Sequence, residues 1–388
     1  MTTQPTCPFH QLKDDYGLTQ ASTPLTLVSD PEDVKEILGA PDTFIPANAL
    51  TAAVDLSPAS LRILLSYKFE LPPVLASASG SAHRQVRSTV ASFFSPARVR
   101  AQEGAVCCAV ARRLATTSTE PQQITRAFHE LSHQVPTMLM WELTGVKPEV
   151  RHSINLDDQT LWVHSLDALE LFWGWPDSER QKELAHSVGQ LHRTLRQMVT
   201  HCQGDTSSLY GKLFDLGKSE AEVVSLAFFL TVAGQFTTTL LINSIMYYAL
   251  TGQKDITLTQ CADAEEANLL VRRVLETQSS VPTWRRVVAE ETTVGEHTYP
   301  ADSEILVQLS GRPAHPDKPD TSLSFGWGLH RCLGALLAES ESTWLINEWG
   351  RWAQEKGLTL HHEGEPQWID LLSFRSAYEL SIGTGEGK

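Results

Sequence analysis

The segment best suited to chemistry is a glycine-rich stretch that leads to a cysteine. It runs Phe325-Gly-Trp-Gly-Leu-His-Arg-Cys332-Leu-Gly334 and precedes a leucine- and alanine-rich helix. Its glycines allow positive φ and let the backbone lie close to a flat ligand. The positive end of the following helix favours thiolate over thiol at Cys332, and N–H groups near Gly334 can bond to the sulfur. The pattern indicates a cysteine presented to a metal; the alternative is a buried thiol at an ordinary loop-to-helix junction.

A second motif suggests a different metal. His129-Glu130-Leu-Ser-His133 fits His-Glu-x-x-His, in which two histidines on one helix face bind zinc and the glutamate acts as a base for hydrolysis. Glu142 and Glu149 are candidate third ligands, but neither is distinctive. Five-residue motifs arise by chance, so we rank zinc hydrolysis far below the cysteine loop.

At the cysteine loop the chain resembles the cytochrome P-450 family of haem-thiolate enzymes. The family signature Phe-x-x-Gly-x-His/Arg-x-Cys-x-Gly is matched by Phe325, Gly328, His330, Cys332 and Gly334. The resemblance covers nearly the whole chain and implies haem b as cofactor, with Cys332 as the axial ligand of the iron. It also implies a mainly α fold: a large helical domain with small β-sheets, and the haem between a long central helix and the cysteine loop.

The resemblance further implies which residues bind the haem propionates. His83 and Arg87 lie four residues apart, on one face of a helix that looks like the family's propionate-binding helix. Arg285 and His330 match the other propionate contacts, and the planar fork of arginine suits a carboxylate. The alternative for His83 and Arg87 is a pair of solvated basic residues.

One uncharged stretch, residues 223–250, is long enough to cross a bilayer. Polar residues interrupt its centre, and a helix that is apolar nearly all round can equally be the core helix of a large globular protein. By resemblance it is the helix that passes over the haem. We therefore predict no membrane segment.

Within this stretch, residues 233–238 align with the family's Ala/Gly-Gly-x-Asp/Glu-Thr-Thr. Gly234 would make room for oxygen, and Thr237 would take part in proton delivery during oxygen activation. Gln235 and Phe236 complete the predicted catalytic set. As an alternative, mid-helix threonines simply bond back to helix carbonyls.

The resemblance also predicts the substrate pocket. Its walls would come from the central helix, the segment before Arg285 and the C-terminal turn. The aromatic-rich segment 166–179 is a candidate part of a lid, with helix packing as the alternative explanation. The predicted pocket residues are Ala233, Val281, Pro282, Thr283, Trp284, Ser373 and Phe374.

Two features depart from the family pattern. Phe236 stands where the family has an acid, so proton delivery would use a water chain, Gln235 or a polar group of the substrate, or would be needed less. The family's Glu-x-x-Arg pair appears inverted, as Arg273 and Glu276, and we expect Glu276 to accept from another arginine such as Arg312. In addition, the segment 310–323 looks shorter than is usual.

Composition sets the broad class. The chain has 388 residues, net charge −15 and 41% hydrophobic residues, which is typical of a soluble globular protein and not of a nucleic-acid binder. Six scattered cysteines and an N-terminus without a signal pattern predict a cytoplasmic protein with free thiols.

Periodicity predicts one domain over residues 1–388. Residues 97–250 read as almost entirely helical, with breaks at Gly145, Pro176 and Gly204. Strand patterns concentrate in residues 22–60, 285–310 and 370–384.

These observations predict a haem-thiolate oxidoreductase that acts on a small molecule, a natural-product intermediate that is either free or carrier-bound. Oxygen and electrons from ferredoxin and ferredoxin reductase would drive hydroxylation, desaturation, coupling or ring formation. Basic residues on the cysteine side could steer an acidic ferredoxin: Arg84, Arg98, Arg100 and Arg331. The alternatives are redox-neutral or peroxide-dependent haem chemistry and, less favoured, a non-catalytic helper of a partner enzyme.

Overall fold

Helices form most of the chain, in the order that the sequence pattern predicts. A computed structural model describes residues 25–46, 52, 55–154, 157–311 and 319–386. The helices are α1 Pro31–Gly39, α2 Pro58–Ser66, α3 Gly80–Phe93, α4 Pro96–Arg100, α5 Glu103–Ala115, α6 Pro121–Thr144, α7 Pro148–Ser153, α8 Asp158–Trp173, α9 Ser178–His201, α10 Leu209–Asp215, α11 Glu220–Leu230, α12 Thr237–Thr251, α13 Ala264–Gln278 and α14 Ala335–Lys356.

The uncharged stretch forms one continuous helix, Glu220–Thr251, in which a π-helical segment, Thr231–Phe236, joins α11 to α12. It starts at a capping box between Ser219 and Glu222. By length and composition it could cross a membrane, but 78% of its most apolar window is buried inside the protein. It packs against α6, α13 and α14, so it is the core helix of the domain.

Within the described ranges of the chain, the strands form four small sheets. The largest has the order β1-β6-β3-β2, and the other pairs are β4-β5, β7-β10 and β8-β9. The strands are β1 Thr26–Val28, β2 Phe44–Ile45, β3 Thr283–Val288, β4 Thr292–Val294, β5 His297–Tyr299, β6 Glu304–Gln308, β7 Leu358–His362, β8 Gln367–Leu371, β9 Phe374–Tyr378 and β10 Ile382–Glu386.

The strand-rich segments agree unevenly with the structure. Residues 285–310 hold β4, β5, β6 and most of β3, and residues 370–384 hold β9 and parts of β8 and β10. The described part of 22–60 is less β-rich than expected, since it contains only the short β1 and β2 beside helix α1 and the start of α2. Residues 22–24, 47–51 and 53–54 lie outside the described residues.

The predicted helix breaks coincide with real helix ends. Gly145 follows α6 with φ +72°, a left-handed conformation that glycine adopts without strain. Pro176 lies between α8 and α9, and Gly204 lies between α9 and α10. These breaks let the helices stack around the central helix.

Candidate active site

A deep cavity lies between the central helix and the cysteine loop. Its wall includes residues from α3, α8, the central helix, β3, the cysteine loop, α14 and β9. Most of these residues are apolar, and several of the polar ones belong to the cysteine loop. Among the predicted site residues, the wall contains Arg87, Ala233, Gly234, Thr237, Val281, Trp284, Phe325, His330, Cys332, Gly334 and Phe374.

The cysteine loop is folded by its own backbone. The Cys332 N–H donates to the carbonyl of Phe325 at 2.8 Å, which closes the loop. Gly328 has φ +67°, and a Cβ there would lie 2.9 Å from the Leu38 carbonyl oxygen. Only glycine fits this position without moving the backbone of α1. The loop therefore presents the cysteine at the N-terminus of α14.

The environment of the Cys332 thiol combines opposing effects. Burial raises its pKa, while a hydrogen bond from the Gly334 N–H and the charges of Arg331 and Arg87 lower it in part. The side chain lies deep among protein atoms, yet its surface is accessible because it opens on the cavity. The helix and loop alone therefore do not make the thiolate, contrary to our expectation; a metal that binds the sulfur would deprotonate it.

Nitrogen donors cluster beside the cysteine. Arg87 donates from Nη2 to the Arg331 carbonyl at 2.5 Å, which fixes α3 to the loop. His330 Nε2 lies 2.8 Å from the Ala78 carbonyl, and burial lowers the pKa of His330 to about 4. Arg286 is also buried on the cavity wall, and burial lowers its pKa to about 10.

Three buried nitrogens in this cluster have no hydrogen-bond partner within the part of the chain that the structure describes: His83 Nδ1, Arg286 Nε and His330 Nδ1. The rings of His83 and His330 are 5.2 Å apart, and His83 Nε2 faces the Leu75 carbonyl at 3.2 Å. Buried donors need acceptors, and two carboxylates would supply them. A cysteine sulfur, an apolar cavity and this donor cluster together fit a haem with its propionates.

Arg285 is not on the cavity wall, which corrects the prediction from the sequence. Neighbouring residues of a strand point to opposite faces, and in β3 Trp284 and Arg286 face the cavity. Arg285 lies opposite Leu306 of β6, and its positive charge interacts favourably with the carboxylate of Glu304. The alternation of β3 was the signal that would have identified Arg286.

The central helix contributes small and hydroxylated residues to the cavity. Ala233, Gly234, Thr237 and Thr238 line it. The Thr237 hydroxyl donates to the Ala233 carbonyl at 2.6 Å, and the Thr238 hydroxyl donates to the Gly234 carbonyl at 3.0 Å. Thr237 therefore both faces the cavity and bonds back to the helix, so the two interpretations of this residue are compatible.

Gln235 and Phe236 do not line the cavity, which corrects their predicted place beside Thr237. Phe236 is fully buried and stacks on Trp162 of α8 at 4.5 Å, and Trp162 stacks on His133 of α6 at 4.0 Å. Gln235 borders a small separate cavity beside Tyr210. Residues that follow one another on a helix point in different directions, so only part of the motif can face one ligand.

Gly234 allows a close packing contact. A Cβ at this position would lie 2.7 Å from the sulfur of Met140, which also borders the cavity. The small residue is thus required by α6 as well as by any ligand. Met140 was not identified from the sequence, where it reads as an ordinary buried position of a helix.

Glu341 is a further residue that the sequence analysis missed. It is buried on α14, borders the cavity and interacts with the Thr238 hydroxyl. Burial raises its pKa well above the usual range, because an ionised carboxylate is costly to desolvate. The signal was a glutamate in line with the buried apolar face of an amphipathic helix.

The predicted pocket residues divide into those that line the cavity and those that support it. Val281, Trp284 and Phe374 line it. Thr283 and Ser373 face one another through their hydroxyls at 3.3 Å, and the Pro282 carbonyl accepts from Leu309 N–H at 2.8 Å. These three residues hold the wall in place. Trp173, from the aromatic-rich segment, also lines the cavity.

The His-Glu-x-x-His motif is used for packing. His129 Nε2 bonds to the Leu380 carbonyl at 3.0 Å, and His133 stacks on Trp162. Glu130 pairs with Arg113 and Arg126 at 2.8 and 2.9 Å. No cluster of three or more possible metal ligands occurs among the described residues.

Each member of the inverted pair bonds to a backbone group of another segment. Glu276 is buried, and its carboxylate accepts from the Asp320 N–H at 2.9 Å. Arg273 donates to the Lys254 carbonyl at 2.5 Å. Arg312, the proposed partner of Glu276, lies outside the described residues, as does half of the segment 310–323.

The proposed basic patch is smaller than expected. Arg84, Arg100 and Arg331 are exposed. Arg98 is half-buried: it donates to the Leu143 carbonyl at 3.1 Å and lies over the Phe93 ring. It therefore serves to pack α4, and three arginines remain for a surface role.

Sequence comparison finds no matching family model, but it finds related proteins. Cytochrome P-450 monooxygenase DoxA of Streptomyces peucetius subsp. caesius is 25% identical over 361 residues, covering 81% of this chain and 82% of the relative. Cyclomarin C epoxidase CymV of Salinispora arenicola is 27% identical and covers 67% and 68%. The vitamin D(3) 25-hydroxylase of Pseudonocardia autotrophica is 27% identical and covers 67% and 65%.

Solved structures share the fold. Cytochrome P450 CREJ in complex with (4-ethylphenyl) dihydrogen phosphate superposes with a TM-score of 0.82 at 20% identity, covering 97% of this chain and 96% of the other. The haem domain of Acinetobacter radioresistens CYP116B5 gives 0.79 at 20% identity, with 100% and 96% covered. P450BioI, solved with an acyl-carrier protein that bears a fatty acid, gives 0.72 at 17% identity, with 96% and 99% covered. The mainly α fold predicted from the sequence is confirmed.

Proposed function

The chain belongs to the cytochrome P-450 family of haem b monooxygenases, and from that premise we propose that it oxidises a small natural-product intermediate with oxygen and ferredoxin-supplied electrons. Hydroxylation, desaturation, oxidative coupling and ring formation are the reactions that fit this proposal. The observation that carries it is the Cys332 sulfur, which opens on a mostly apolar cavity whose wall also includes Thr237.

We assign each residue of the site a role in this function. Cys332 would bind the haem iron, His83, Arg286 and His330 would bind the propionates through their unpartnered nitrogens, and Arg87 on the cavity wall would add its positive charge. When bound, a haem with a thiolate ligand supplies the chemistry of O–O bond cleavage. Thr237 holds a hydroxyl at the cavity and passes protons inward, while the apolar wall excludes bulk water from the reacting atoms.

The relatives support a substrate of natural-product type. An epoxidase of cyclomarin C and a hydroxylase of vitamin D(3) are among them. A structural relative was solved with a carrier-bound fatty acid, which supports the idea of a carrier-bound substrate as a variant of the same function. We place the enzyme in the cytoplasm.

The electron donor in this proposal is a ferredoxin with its reductase. Three exposed arginines near the cysteine side contrast with a net charge of −15 for the whole chain: Arg84, Arg100 and Arg331. Such a local positive surface steers an acidic partner, and the effect weakens as salt rises.

In a second candidate function, the protein binds haem but does not use electrons from a donor protein to reduce oxygen. The stack of Phe236, Trp162 and His133 fills the position where the family has an acid, so a carboxylate relay is missing at that position. Redox-neutral rearrangement and peroxide-dependent oxidation need less proton delivery than electron-driven oxygen activation. A carbon monoxide spectrum recorded with two different reductants separates the two functions.

The test is the carbon monoxide spectrum of the purified protein, reduced by dithionite or by NADPH, ferredoxin reductase and ferredoxin. We expect a thiolate-type Soret band with both reductants, because the cysteine loop presents its sulfur to the cavity. Cys332→Ser should abolish that band, whereas Cys108→Ser, which changes an exposed cysteine elsewhere, should leave it unchanged.

Two results would contradict the proposal in different ways. A thiolate band that survives Cys332→Ser would show that another residue binds the iron. A band with dithionite only, after several ferredoxins, would favour the second candidate function over the first.

A further inference from the structure

Three large aromatic rings meet at one part of the cavity wall. Trp173 is the last residue of α8, Trp284 is in β3 and Phe374 begins β9. The ring centres of Trp173 and Phe374 are 5.0 Å apart at 73°, and those of Trp284 and Phe374 are 6.2 Å apart at 80°. The two indoles lie 6.4 Å apart at 35°. We call these three residues the aromatic corner.

The aromatic corner is held in position by the backbone. The Leu372 N–H donates to the Trp173 carbonyl at 2.9 Å, and the Arg375 N–H donates to the Ser280 carbonyl at 3.1 Å. Ser373, just before Phe374, has φ +67°, a strained conformation for a residue with a side chain. Strain that is maintained by fixed contacts often marks a functional position, here the turn that directs Phe374 into the cavity.

The charges nearby decide which ligand the aromatic corner fits. Aromatic faces can bind cations as well as other rings. Among the described residues the cavity wall has one carboxyl, Glu341 of α14, and it interacts with Thr238, so a cationic ligand at the corner would lose its hydration with no carboxylate there to compensate it. An uncharged ring meets no such penalty.

We propose that the aromatic corner is the recognition site for an uncharged planar aromatic group of the substrate. This inference rests on the proposed function and names its substrate class. Rings pair best edge-to-face or offset, and the corner brings two indoles and a phenyl ring to one part of the cavity wall. A saturated skeleton of the same size would gain the burial but not these ring interactions.

The test is isothermal titration of the haem-loaded protein with two probes of the same carbon skeleton, 1-naphthalenemethanol and decahydronaphthalene-methanol. We expect the aromatic probe to bind about tenfold more tightly, since each ring pair contributes beyond buried area. Trp173→Leu and Phe374→Leu should each bring this ratio down toward 1. Two variants guard against one that fails to fold, and haem content verifies folding.

Phe229→Leu is the matched control. Phe229 also lines the cavity, but within the described residues its ring forms no pair with any of the three corner rings. It should leave the ratio unchanged. A ratio near 1 in the unmodified protein, or one that persists in both corner variants, would overturn the inference. Tighter binding of phenyltrimethylammonium than of the aromatic alcohol would also overturn it, in favour of a cation site.

The outcome can be separated from the proposed function. The titration is performed on protein with a verified thiolate-type carbon monoxide band. If the band is present and the aromatic preference is absent, only the substrate class is wrong. If the band itself is absent, the proposed function fails independently of the aromatic corner.

Discussion

At the scale of single residues, one described carboxyl group lies on the cavity wall, and it does not belong to the family motif of the central helix. Glu341 contacts Thr238, yet it comes from α14. Glu341 therefore does not occupy the position at which the family has an acid and this chain has Phe236. The only described carboxyl on the cavity wall approaches the threonines from a different helix.

Glu341 should make the protein less stable as pH rises. Its folded pKa is raised above the unfolded value, so above about pH 4.5 the unfolded chain releases a proton that the folded chain keeps. Glu341→Gln removes this penalty, and we expect the variant to gain stability relative to the parent between pH 4 and pH 8. Urea unfolding at several pH values measures this change.

Glu355→Gln provides the control, because Glu355 is exposed near the end of the same helix. It should leave the pH dependence unaltered. If Glu341→Gln and the parent show parallel stability curves, the carboxyl is already ionised in the folded protein and our assignment is wrong.

At the scale of elements, the alternation of β3 decides which arginine serves the cavity. Arg286 shares a face with Trp284, and Arg285 lies on the other face opposite Leu306. The two residues are neighbours of the same type, so they form a natural matched pair.

Replacing these arginines should affect haem binding unequally. Arg286→Leu should increase the rate of haem transfer to apomyoglobin about tenfold, because a charge-assisted hydrogen bond to a propionate is lost. Arg285→Leu should change the rate much less, provided that circular dichroism shows the fold intact. Equal rates, or a larger effect at Arg285, would contradict the orientation of β3.

At the scale of the whole molecule, buried neutral histidines make stability depend on acid. Burial lowers the pKa of His133 to about 3 and that of His192 to about 4. His133 lies in the stack behind the central helix, and His192 packs on Phe69 at 4.8 Å. Both residues connect peripheral helices to the core, so their protonation acts on the whole fold.

The folded protein should lose stability as pH falls below about 6.5, because the histidines bind protons in the unfolded chain but stay neutral in the folded protein. His133→Phe keeps the stack but removes the titration, and we expect it to recover on the order of 2 kcal/mol at pH 4.5. Urea unfolding of the haem-loaded protein measures this. The exposed His297, changed to Phe, is the control and should recover nothing. Identical acid sensitivity of the parent and His133→Phe would contradict the prediction.

The sequence by itself determined the resemblance to the haem-thiolate family, the cofactor that this resemblance implies and the mainly helical order. Three signals in the sequence carried this information: glycines suited to positive φ, a cysteine before a helix, and an uncharged helix with a small-residue centre. Each depends on local geometry, which residue type and spacing express directly. For the same reason the predicted helix breaks coincide with real ends.

Only the tertiary structure decided which side chains face the cavity. Consecutive motif positions diverge around a helix or across a strand, so Thr237 and Phe236 separate, as do Arg286 and Arg285. Trp173, Glu341 and Met140 reach the site from elements far apart in the chain. No local pattern records such contacts, because they arise from how the helices and sheets pack against one another.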